Sequence, residues 1–249
     1  MSRIWSQVGA CARAAREPVS VEHACIASAG ALGAFGAGLS MVRSGHQREP
    51  VFATDSRSEE LGELQFTLGE GPCVDAMNAG EAVLVDDMTL AESELHWPAF
   101  APAAAALGVR GMFSIPIRAG GARLGVLDLY RADPGGLSGG ELADALAYAD
   151  VVLVLALDQL GGIKSPLDGF LNAGFTDRRA VVHQAVGMVS VQLNVTVTDA
   201  LASLRAHAYA HDQRLADVCA DVVARRLSFG RGSGTGTLDT DTNGKENSP

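Results

Sequence analysis

The spacing of hydrophobic and polar positions changes along the chain from patterns typical of strands to patterns typical of helices. Up to about residue 130, short segments that are apolar or alternate apolar with polar residues are bounded by turn-forming residues, which predicts β-strands. The five predicted strands are 34–42, 50–55, 81–88, 111–119 and 122–130. Helical patterns precede the first strand, at 20–34, and flank the turn Gly69-Glu70-Gly71 between the second and third strands. This order predicts an α+β domain with an antiparallel sheet.

A long helix is predicted from Ser138 to residue 160, ending at Gly161-Gly162. Its residues 151–157 are all apolar, which is more than a single buried stripe requires. Because one face of a sheet covers only part of such a helix, we expect this helix to form the contact of a homodimer.

Between residues 176 and 229 the apolar residues fall at helical spacings, although many residues there are Val or Thr, which favour strands. Three amphipathic helices are predicted, and Thr196 followed by Asp199 is a capping-box variant at the start of the second. Their apolar stripes are Val181, Val182, Ala185, Met188, Val189 and Gln192; Val197, Ala200, Leu201, Leu204 and Ala208; and Leu215, Val218, Cys219 and Val222. Helices this short are stable only by packing on one another, so burial rather than propensity selects them.

The outward side of the second helix carries Arg205 and Tyr209, one turn apart beside the apolar stripe. An arginine beside an exposed aromatic ring suits single-stranded or looped RNA, because the guanidinium bridges phosphates or base edges while the ring stacks on a splayed base. The alternative is a solvated helix face without function.

A similar flank of the first helix is traced by Arg179, His183, Val186 and Ser190. Gly187 lies opposite the apolar stripe, where glycine costs roughly 1 kcal/mol relative to alanine. A glycine kept at that cost indicates close approach of another backbone, from nucleic acid or protein.

The formal charge of −10 is distributed unevenly along the chain. Residues 1–165 hold 11 basic against 20 acidic side chains, whereas residues 166–230 hold 6 of each. The front part would repel nucleic acid, so a polyanion contact is expected in the back part.

The four cysteines form no CxxC pair, which indicates neither a zinc site nor a disulfide framework. Isolated cysteines of this kind are typical of small buried groups in a reducing compartment. The N-terminus lacks the apolar core of a signal peptide, and residues 151–157 are too few to span a bilayer. We therefore expect a cytoplasmic protein without a membrane segment.

Two known domain families share these motifs. Residues 176–229 resemble the ANTAR domain, a three-helix RNA-binding module of bacterial antitermination regulators, and residues 20–160 resemble a GAF domain. The first resemblance rests on Ala185-x-Gly187-Met188, Asp199-Ala200 with Leu204-Arg205-x-x-Ala208, and Leu215-x-x-Val218; the second rests on LGEGPCVDAM (68–77), WPAF (97–100), GVRGMFSIPI (108–117) and LGVLDLY (124–130). The remaining segments are predicted as an N-terminal segment at 1–19, a linker at 161–175 and a disordered tail at 230–249.

The ANTAR resemblance implies a regulator that promotes antitermination by binding an RNA hairpin in nascent transcript. The residues that it and the helical pattern indicate for RNA binding are Arg179, His183, Gly187, Arg205, Tyr209 and Arg214. Many relatives have a lysine where this chain has Val186, which removes a phosphate contact. Since the helical unit is also neutral, we expect a monomer to bind RNA weakly and a dimer to recover affinity.

The GAF resemblance implies a sensory role without identifying a small-molecule ligand or a cofactor. Cys73 follows Pro72 at a predicted helix start, where a thiolate is stabilised, so a thiol sensor or a GAF-fold redox enzyme is an alternative to a buried structural cysteine. We expect no enzymatic activity, because Cys73 has no resolving partner nearby in the sequence. A DNA-binding regulator is a further alternative, although the third helix offers mainly Asp217 and Asp221 outward.

Overall fold

The structure is a computed structural model that describes residues 2–42, 48–161, 173–211 and 213–230. Its elements are α1 (Ser2–Ala15), α2 (Val21–Ala31), β1 (Gly36–Val42), β2 (Arg48–Ala53), α3 (Ser56–Leu68), α4 (Pro72–Ala79), β3 (Val83–Val85), α5 (Ala91–His96), α6 (Phe100–Ala106), β4 (Gly111–Ala119), β5 (Ala122–Arg131), α7 (Gly139–Gly161), α8 (Ala173–Leu193), α9 (Val197–Ala210) and α10 (Leu215–Val223). The chain divides into two compact units, residues 1–179 and residues 180–249. We call the first the sensor unit and the second the helical unit.

The sensor unit is built on a five-stranded antiparallel sheet in the order β2-β1-β5-β4-β3. This confirms the predicted α+β class and the five strands. The third strand is shorter than predicted because the chain leaves the sheet after Val85, where Asp87 turns toward Arg110 and accepts two hydrogen bonds from its guanidinium, at 2.8 and 2.6 Å.

One face of the sheet packs against α2 and α7, on which α1 packs in turn, and alternate strand residues such as Leu39, Ile115 and Leu127 supply the core there. Helix α1 was not predicted, since residues 1–19 were assigned no element. Its buried residues Ile4 and Val8 are four positions apart, a helical spacing that the sequence contains.

The opposite face of the sheet is covered by α3, α4 and α6, and α5 packs on α6. The predicted pair of helices around Gly69-Glu70-Gly71 is confirmed as α3 and α4. Gly71 has φ +127°, and a Cβ there would lie 2.6 Å from Oε1 of Gln65. Only glycine therefore allows the chain to enter α4 with Gln65 packed beneath it.

Helix α7 is covered on more sides than predicted. Val151, Val152 and Leu155 are buried within the sensor unit, because α1 and α2 pack on the helix together with β4. Only one stripe of α7 stays open, and its apolar members Leu146, Val154 and Leu157 are each nearly half exposed.

In the helical unit, the predicted stripe of α10 is entirely buried, and so is the stripe of α9 apart from Val197. Val197 is 57% exposed because it occupies the first position of α9, before the helix reaches the interior. Helix α8 begins at Ala173, within the segment predicted as a linker, while residues 162–172 and 231–249 lie outside the described residues.

Candidate nucleic-acid interface

The turn between α8 and α9 is built from side-chain hydrogen bonds and one left-handed residue, Asn194, with φ +53°. The hydroxyl of Ser190, predicted on the outward flank, donates to the carbonyl of Val195 at 2.7 Å and so stabilises this turn. The Thr196 hydroxyl accepts from the backbone N–H of Asp199 at 3.2 Å, which confirms the predicted cap. The two helices are consequently bent by 103° at the break between them.

The flank of α9 presents Tyr209 to solvent, with 66% of the residue exposed. Arg205 lies one turn earlier and is half-buried, with its Nε shielded from water. A ring that is open on its surface can stack on an unpaired base, and a guanidinium beside it can meet phosphate or a base edge. The arrangement therefore has the two chemical elements that recognise looped RNA.

The outward face of α8 carries His183 and Gly187, which are both exposed and one turn apart. Apart from its chain neighbours and the backbone of its own helix, no atom of the described residues lies within 4 Å of the position that a Cβ of Gly187 would take, so the helix surface is open to a ligand there. Val186 does not share this face, which corrects the prediction. It is 4% exposed and belongs to the buried stripe, four residues after Val182 and three before Val189.

Two more arginines were predicted to contact RNA. Arg214 is exposed directly before α10, and its side chain does not cap that helix. The side chain of Arg179 lies outside the described residues.

Sequence reasoning missed the segment 224–230, which follows α10 and which we call the return segment. The backbone N–H of Phe229 donates to Oε1 of Gln192 on α8 at 2.9 Å, and its ring meets the edge of His207 on α9 at a centroid distance of 5.4 Å. His207 in turn stacks on His211 at 4.1 Å. The signal that could have found this segment is the pair Leu227 and Phe229, which are apolar beyond the end of the helical pattern.

The interior of the sensor unit holds a polar network between the sheet and α3. The Ser114 hydroxyl donates to Asp128 at 2.6 Å, and the Gln65 amide reaches the other oxygen of Asp128 at 3.5 Å. The same Gln65 side chain accepts from the backbone N–H of Cys73 at 2.8 Å. All four residues are buried, so the network joins α3, α4, β4 and β5 by satisfied hydrogen bonds.

Cys73 lies in the first turn of α4, as predicted, but its residue exposure is 0%. Two other buried cysteines lie outside the predicted sites: burial raises the pKa of Cys219 to about 12 and raises the pKa of Cys25. Among the described residues, no group of three or more His, Cys, Asp or Glu side chains is placed to hold a metal ion.

A groove of about 690 Å³ lies on the sensor unit beside β3 and α5. Its wall includes Trp97 and His96, whose rings meet edge to face at 4.7 Å. Both rings also bind Asp75, with the Trp97 indole N–H donating at 3.0 Å. Further acidic and apolar side chains line it, namely Asp86, Asp87, Glu92, Leu84, Leu90 and Leu95.

Comparisons with known proteins match both units. The sequence model of the GAF domain matches residues 9–147, more than half of the chain, and that of the ANTAR domain matches residues 176–223. The comparison with curated proteins finds no match.

Solved structures with a similar sensor unit include two GAF domains from phosphoenolpyruvate-protein phosphotransferases. The one from Coxiella burnetii is 18% identical with a TM-score of 0.49 and covers 63% of this chain and 94% of that chain. The one from Acinetobacter is 12% identical with a TM-score of 0.48 and covers 66% and 99%. A type II free methionine-R-sulfoxide reductase from Thermoplasma acidophilum is 16% identical with a TM-score of 0.39 and covers 54% and 93%. These likenesses carry no information about the activity of this chain.

Within the described residues, no single helix is both long and apolar enough to cross a membrane. The helices Val181–Leu193 and Val197–Ala210 reach that length and hydropathy only when taken together, across their bend.

The sheet, its register and the family matches agree with one another. The chain therefore belongs to the GAF domain family. Because an ANTAR domain follows the GAF domain in the sequence, it is a GAF and ANTAR domain-containing regulator.

Proposed function

We propose that this regulator binds an RNA hairpin in nascent mRNA and thereby promotes transcription antitermination in response to a signal received by its GAF domain. The observation that carries the proposal is the exposed Tyr209 ring next to Arg205 within a matched ANTAR domain. Neither side chain belongs to the buried stripe of α9, whose members are Ala200, Leu201, Leu204 and Ala208. An exposed aromatic ring next to an arginine is suited to stacking on an unpaired base.

RNA fits this surface better than duplex DNA. Helix α10 is the third helix of the unit, where a helix-turn-helix protein would present its recognition helix. Here Asp217 is exposed and Asp221 is half-buried, so this helix would bring carboxylates toward a phosphate backbone. A loop with splayed bases instead needs a stacking ring and a few cations, which α9 supplies.

We propose that the signal is a small molecule bound by the sensor unit, and the groove beside β3 is the candidate place. Leu84, Leu90 and Leu95 give it an exposed apolar surface, while Glu92 and Asp86 make its rim acidic. A cationic or neutral apolar ligand suits this lining, whereas a nucleotide phosphate would be repelled. Thermal unfolding of the full chain with organic amines, and with organic phosphates of similar size as controls, tests this assignment; a shift with the phosphates alone would contradict it.

We also propose that the protein acts as a cytoplasmic homodimer through the open stripe of α7. The exposed Leu146 and Leu157, with the half-buried Leu153 on the edge of this stripe, follow spacings of seven and four residues, as in the contact face of a two-stranded coiled coil. Two RNA-binding units in one dimer raise the effective concentration of the second contact. This would compensate for the low cationic charge of each unit.

We propose a regulatory rather than a catalytic function for the sensor unit. A reactive cysteine has to be reached by its substrate or oxidant. The burial of Cys73 therefore favours a packing function over a redox enzyme or a thiol sensor.

The decisive experiment is to select, from a pool of RNA hairpins with a randomised loop, those that the full protein retains. The parent protein and the double variant Arg205→Ala/Tyr209→Ala are used side by side. We expect the parent to enrich hairpins that share loop bases and the variant to enrich none. A terminator reporter that carries an enriched hairpin upstream should then show read-through only when the parent is present. Selection of no RNA by the parent would overturn the proposed function.

A further inference from the structure

The return segment closes one side of a groove on the helical unit. Beyond α10, the N–H groups of Arg225 and Arg226 donate to the carbonyls of Val222 and Asp221, which ends the helix with a left-handed residue at Arg225, φ +59°. The segment is then held against α8 by Gln192 and against α9 by His207, through the two contacts of Phe229. The family match to the ANTAR domain ends at residue 223, before this segment.

The groove between the return segment and α8 has a volume of about 540 Å³. Its lining is Gly187, Met188, Val191 and Gln192 from α8, with Arg225, Leu227 and Ser228 from the return segment. Most of this surface is apolar, and Val191 on its rim is 81% exposed. The open backbone at Gly187 lets a flat group lie directly on the helix.

Among the described residues that line this groove, Arg225 is the only charged one. It is exposed, and among the described residues no ion pair is found for it, whereas the neighbouring Arg226 pairs with Asp221 at 2.6 Å. The groove thus combines a mostly apolar wall with one cation. This combination matches a nucleotide, whose base is planar and whose phosphate is anionic.

We propose that this groove receives one unstacked base of the bound RNA, with Arg225 contacting the phosphate of that nucleotide. The inference rests on the proposed function, since it requires an RNA ligand, and it adds a second contact to that function. On α9, His207, which anchors the return segment, is two residues from Tyr209 and therefore lies on the opposite side of the helix. The groove base and the base stacked on Tyr209 are consequently two different nucleotides.

A second copy of the chain fits the groove less well. A twofold contact through it would bring the exposed guanidinium of Arg225 toward its own equivalent, and like charges oppose such a contact. A purely apolar peptide would leave that cation without an anion.

Two variants change the groove without disturbing the fold: one fills it with a side chain and the other removes its positive charge. Gly187→Leu places a side chain in open space on a helix, where leucine is a better helix former than glycine. Arg225→Gly removes the cation at a left-handed position that glycine adopts without strain. Arg226→Gln is the matched control, because it removes the same charge from the adjacent residue outside the groove lining.

The experiment measures the dissociation constant of a hairpin that the parent selects from the randomised-loop pool, and of the same hairpin with each loop base replaced in turn by an abasic sugar. We expect Gly187→Leu and Arg225→Gly each to weaken binding roughly tenfold, and Arg226→Gln to weaken it less than about threefold. At one loop position, removal of the base should weaken binding to the parent but not to Gly187→Leu. At a different loop position, removal of the base should weaken binding to the parent but not to Tyr209→Ala.

The outcomes separate the inference from the function on which it rests. The groove inference is overturned while RNA binding stands if Gly187→Leu binds the hairpin like the parent. The same holds if Gly187→Leu is sensitive to base removal at every loop position at which the parent is. If light scattering shows that Gly187→Leu changes the oligomeric state, the groove is a contact between copies and the inference is likewise overturned. If the parent retains no hairpin, the proposed function fails together with the inference.

Discussion

The two units leave different kinds of surface open to solvent. In the sensor unit, Arg110 is bound to Asp87, Arg131 to Glu141 and the carbonyl of Leu32, and Arg57 covers the ring of Phe35 at 3.4 Å. That unit nevertheless leaves an apolar stripe of α7 exposed. In the helical unit, Arg214 and Arg225 are exposed and no ion pair is found for either among the described residues.

This difference shows what each unit is suited to contact. Arginines bound to their own unit are part of its architecture, and a remaining apolar stripe suits a second copy of the chain. Exposed arginines and an exposed aromatic ring within one unit suit a polyanion with splayed bases. The neutral total charge of residues 166–230 does not reveal these accessible arginines, because the position of a cation rather than the number of cations decides whether a polyanion can contact it.

The largest effect is expected for Arg131→Met. It removes two hydrogen bonds to the carbonyl of Leu32 and the ion pair with Glu141, whose pKa is lowered to about 2 by hydrogen bonds from Ser138 and Arg131. We expect the free energy of unfolding of the sensor unit to fall by about 2–3 kcal/mol, because the buried carbonyl loses its donors. Urea unfolding followed by tryptophan fluorescence reports on this unit, since Trp5 and Trp97 both lie in it.

Arg214→Met is the matched control for that prediction. It makes the same substitution at an exposed arginine of the helical unit, where a surface change alters stability by less than about 0.5 kcal/mol. It should instead weaken RNA binding and reduce its dependence on salt. If Arg131→Met leaves the unfolding transition unchanged, the contrast between arginines that stabilise the sensor unit and arginines that are exposed for binding is contradicted.

The next effect concerns the flank of α9. Arg205→Ala and Tyr209→Ala should each weaken binding of a selected hairpin by roughly 1–3 kcal/mol, the range for a lost specific contact or a lost stacked base. Tyr209→Phe keeps the ring and should bind nearly like the parent, while circular dichroism should show unchanged helix content in all three variants. Equal binding by all three would identify this flank as a solvated face.

A smaller effect is expected at the α7 stripe. Val152→Asp and Leu155→Asp cannot test the dimer, because both side chains are buried within the sensor unit. Leu146→Asp and Leu157→Asp change exposed positions instead and should shift the dimer toward monomer by about tenfold or more in dissociation constant, as measured by light scattering across a concentration series.

Asp150→Leu is the opposite variant at the same stripe. Asp150 is exposed between Leu146 and Leu153, so two copies would bring their carboxylates together in a parallel dimer. Replacement by leucine should therefore tighten association. A parent that is monomeric at micromolar concentration would remove the dimer from the proposed function.

A modest pH effect is expected at His207. Burial lowers its pKa below the usual value, and the neighbouring His211 lowers it further. The folded unit therefore favours the neutral ring, so its stability is fully present above the unfolded pKa and decreases as pH falls through that value toward the lower folded one. Lowering the pH from about 7.5 to about 5.5 should increase opening of the return segment.

Hydrogen exchange of the peptides that contain residues 213–230, corrected for the intrinsic rates, measures this opening. His207→Gln removes the titrating ring and should make the protection of these peptides independent of pH over the same range. An equal loss of protection in the parent and in His207→Gln would show that another group controls the segment.

The smallest effect is expected at Cys73. With the residue buried, mild peroxide should leave RNA binding by the parent and by Cys73→Ser equally unchanged. A sulfenic adduct at Cys73 in mass spectrometry, together with altered affinity in the parent only, would restore the thiol sensor as the better hypothesis.

The sequence predicted those elements whose patterns are long and bounded by clear turns. Strands β4 and β5 fall close to the predicted ranges because alternation sets the period and Gly120-Gly121 sets the hairpin between them. The stripe of α10 was predicted residue by residue, since a helix that buries one face must repeat its apolar positions every three or four residues. Helix α1 was missed although its spacing is helical, because most of its other positions are small or polar.

The candidate site was predictable in part. Exposure of His183, Gly187, Tyr209 and Arg214 follows from their places on the helical pattern. Val186 could not be placed in the same way, because a valine next to an apolar stripe fits either side of its border, and only packing of the unit decides that it is buried. The return segment is the clearest omission, since its contacts with Gln192 and His207 join residues more than twenty positions apart.

By itself the sequence determined the two units, the type of most of their elements and the residue types available for RNA contact, because these depend on local period and composition. Tertiary structure decided which of those residues are accessible. It covered most of α7 with α1 and α2, buried Cys73 and Val186, bound Arg57, Arg110 and Arg131 to partners distant in sequence and brought Arg225 to the rim of a groove on α8. The physical reason is that burial and ion pairing depend on distances between elements, and a helical or strand period fixes only the direction in which a side chain leaves its own element.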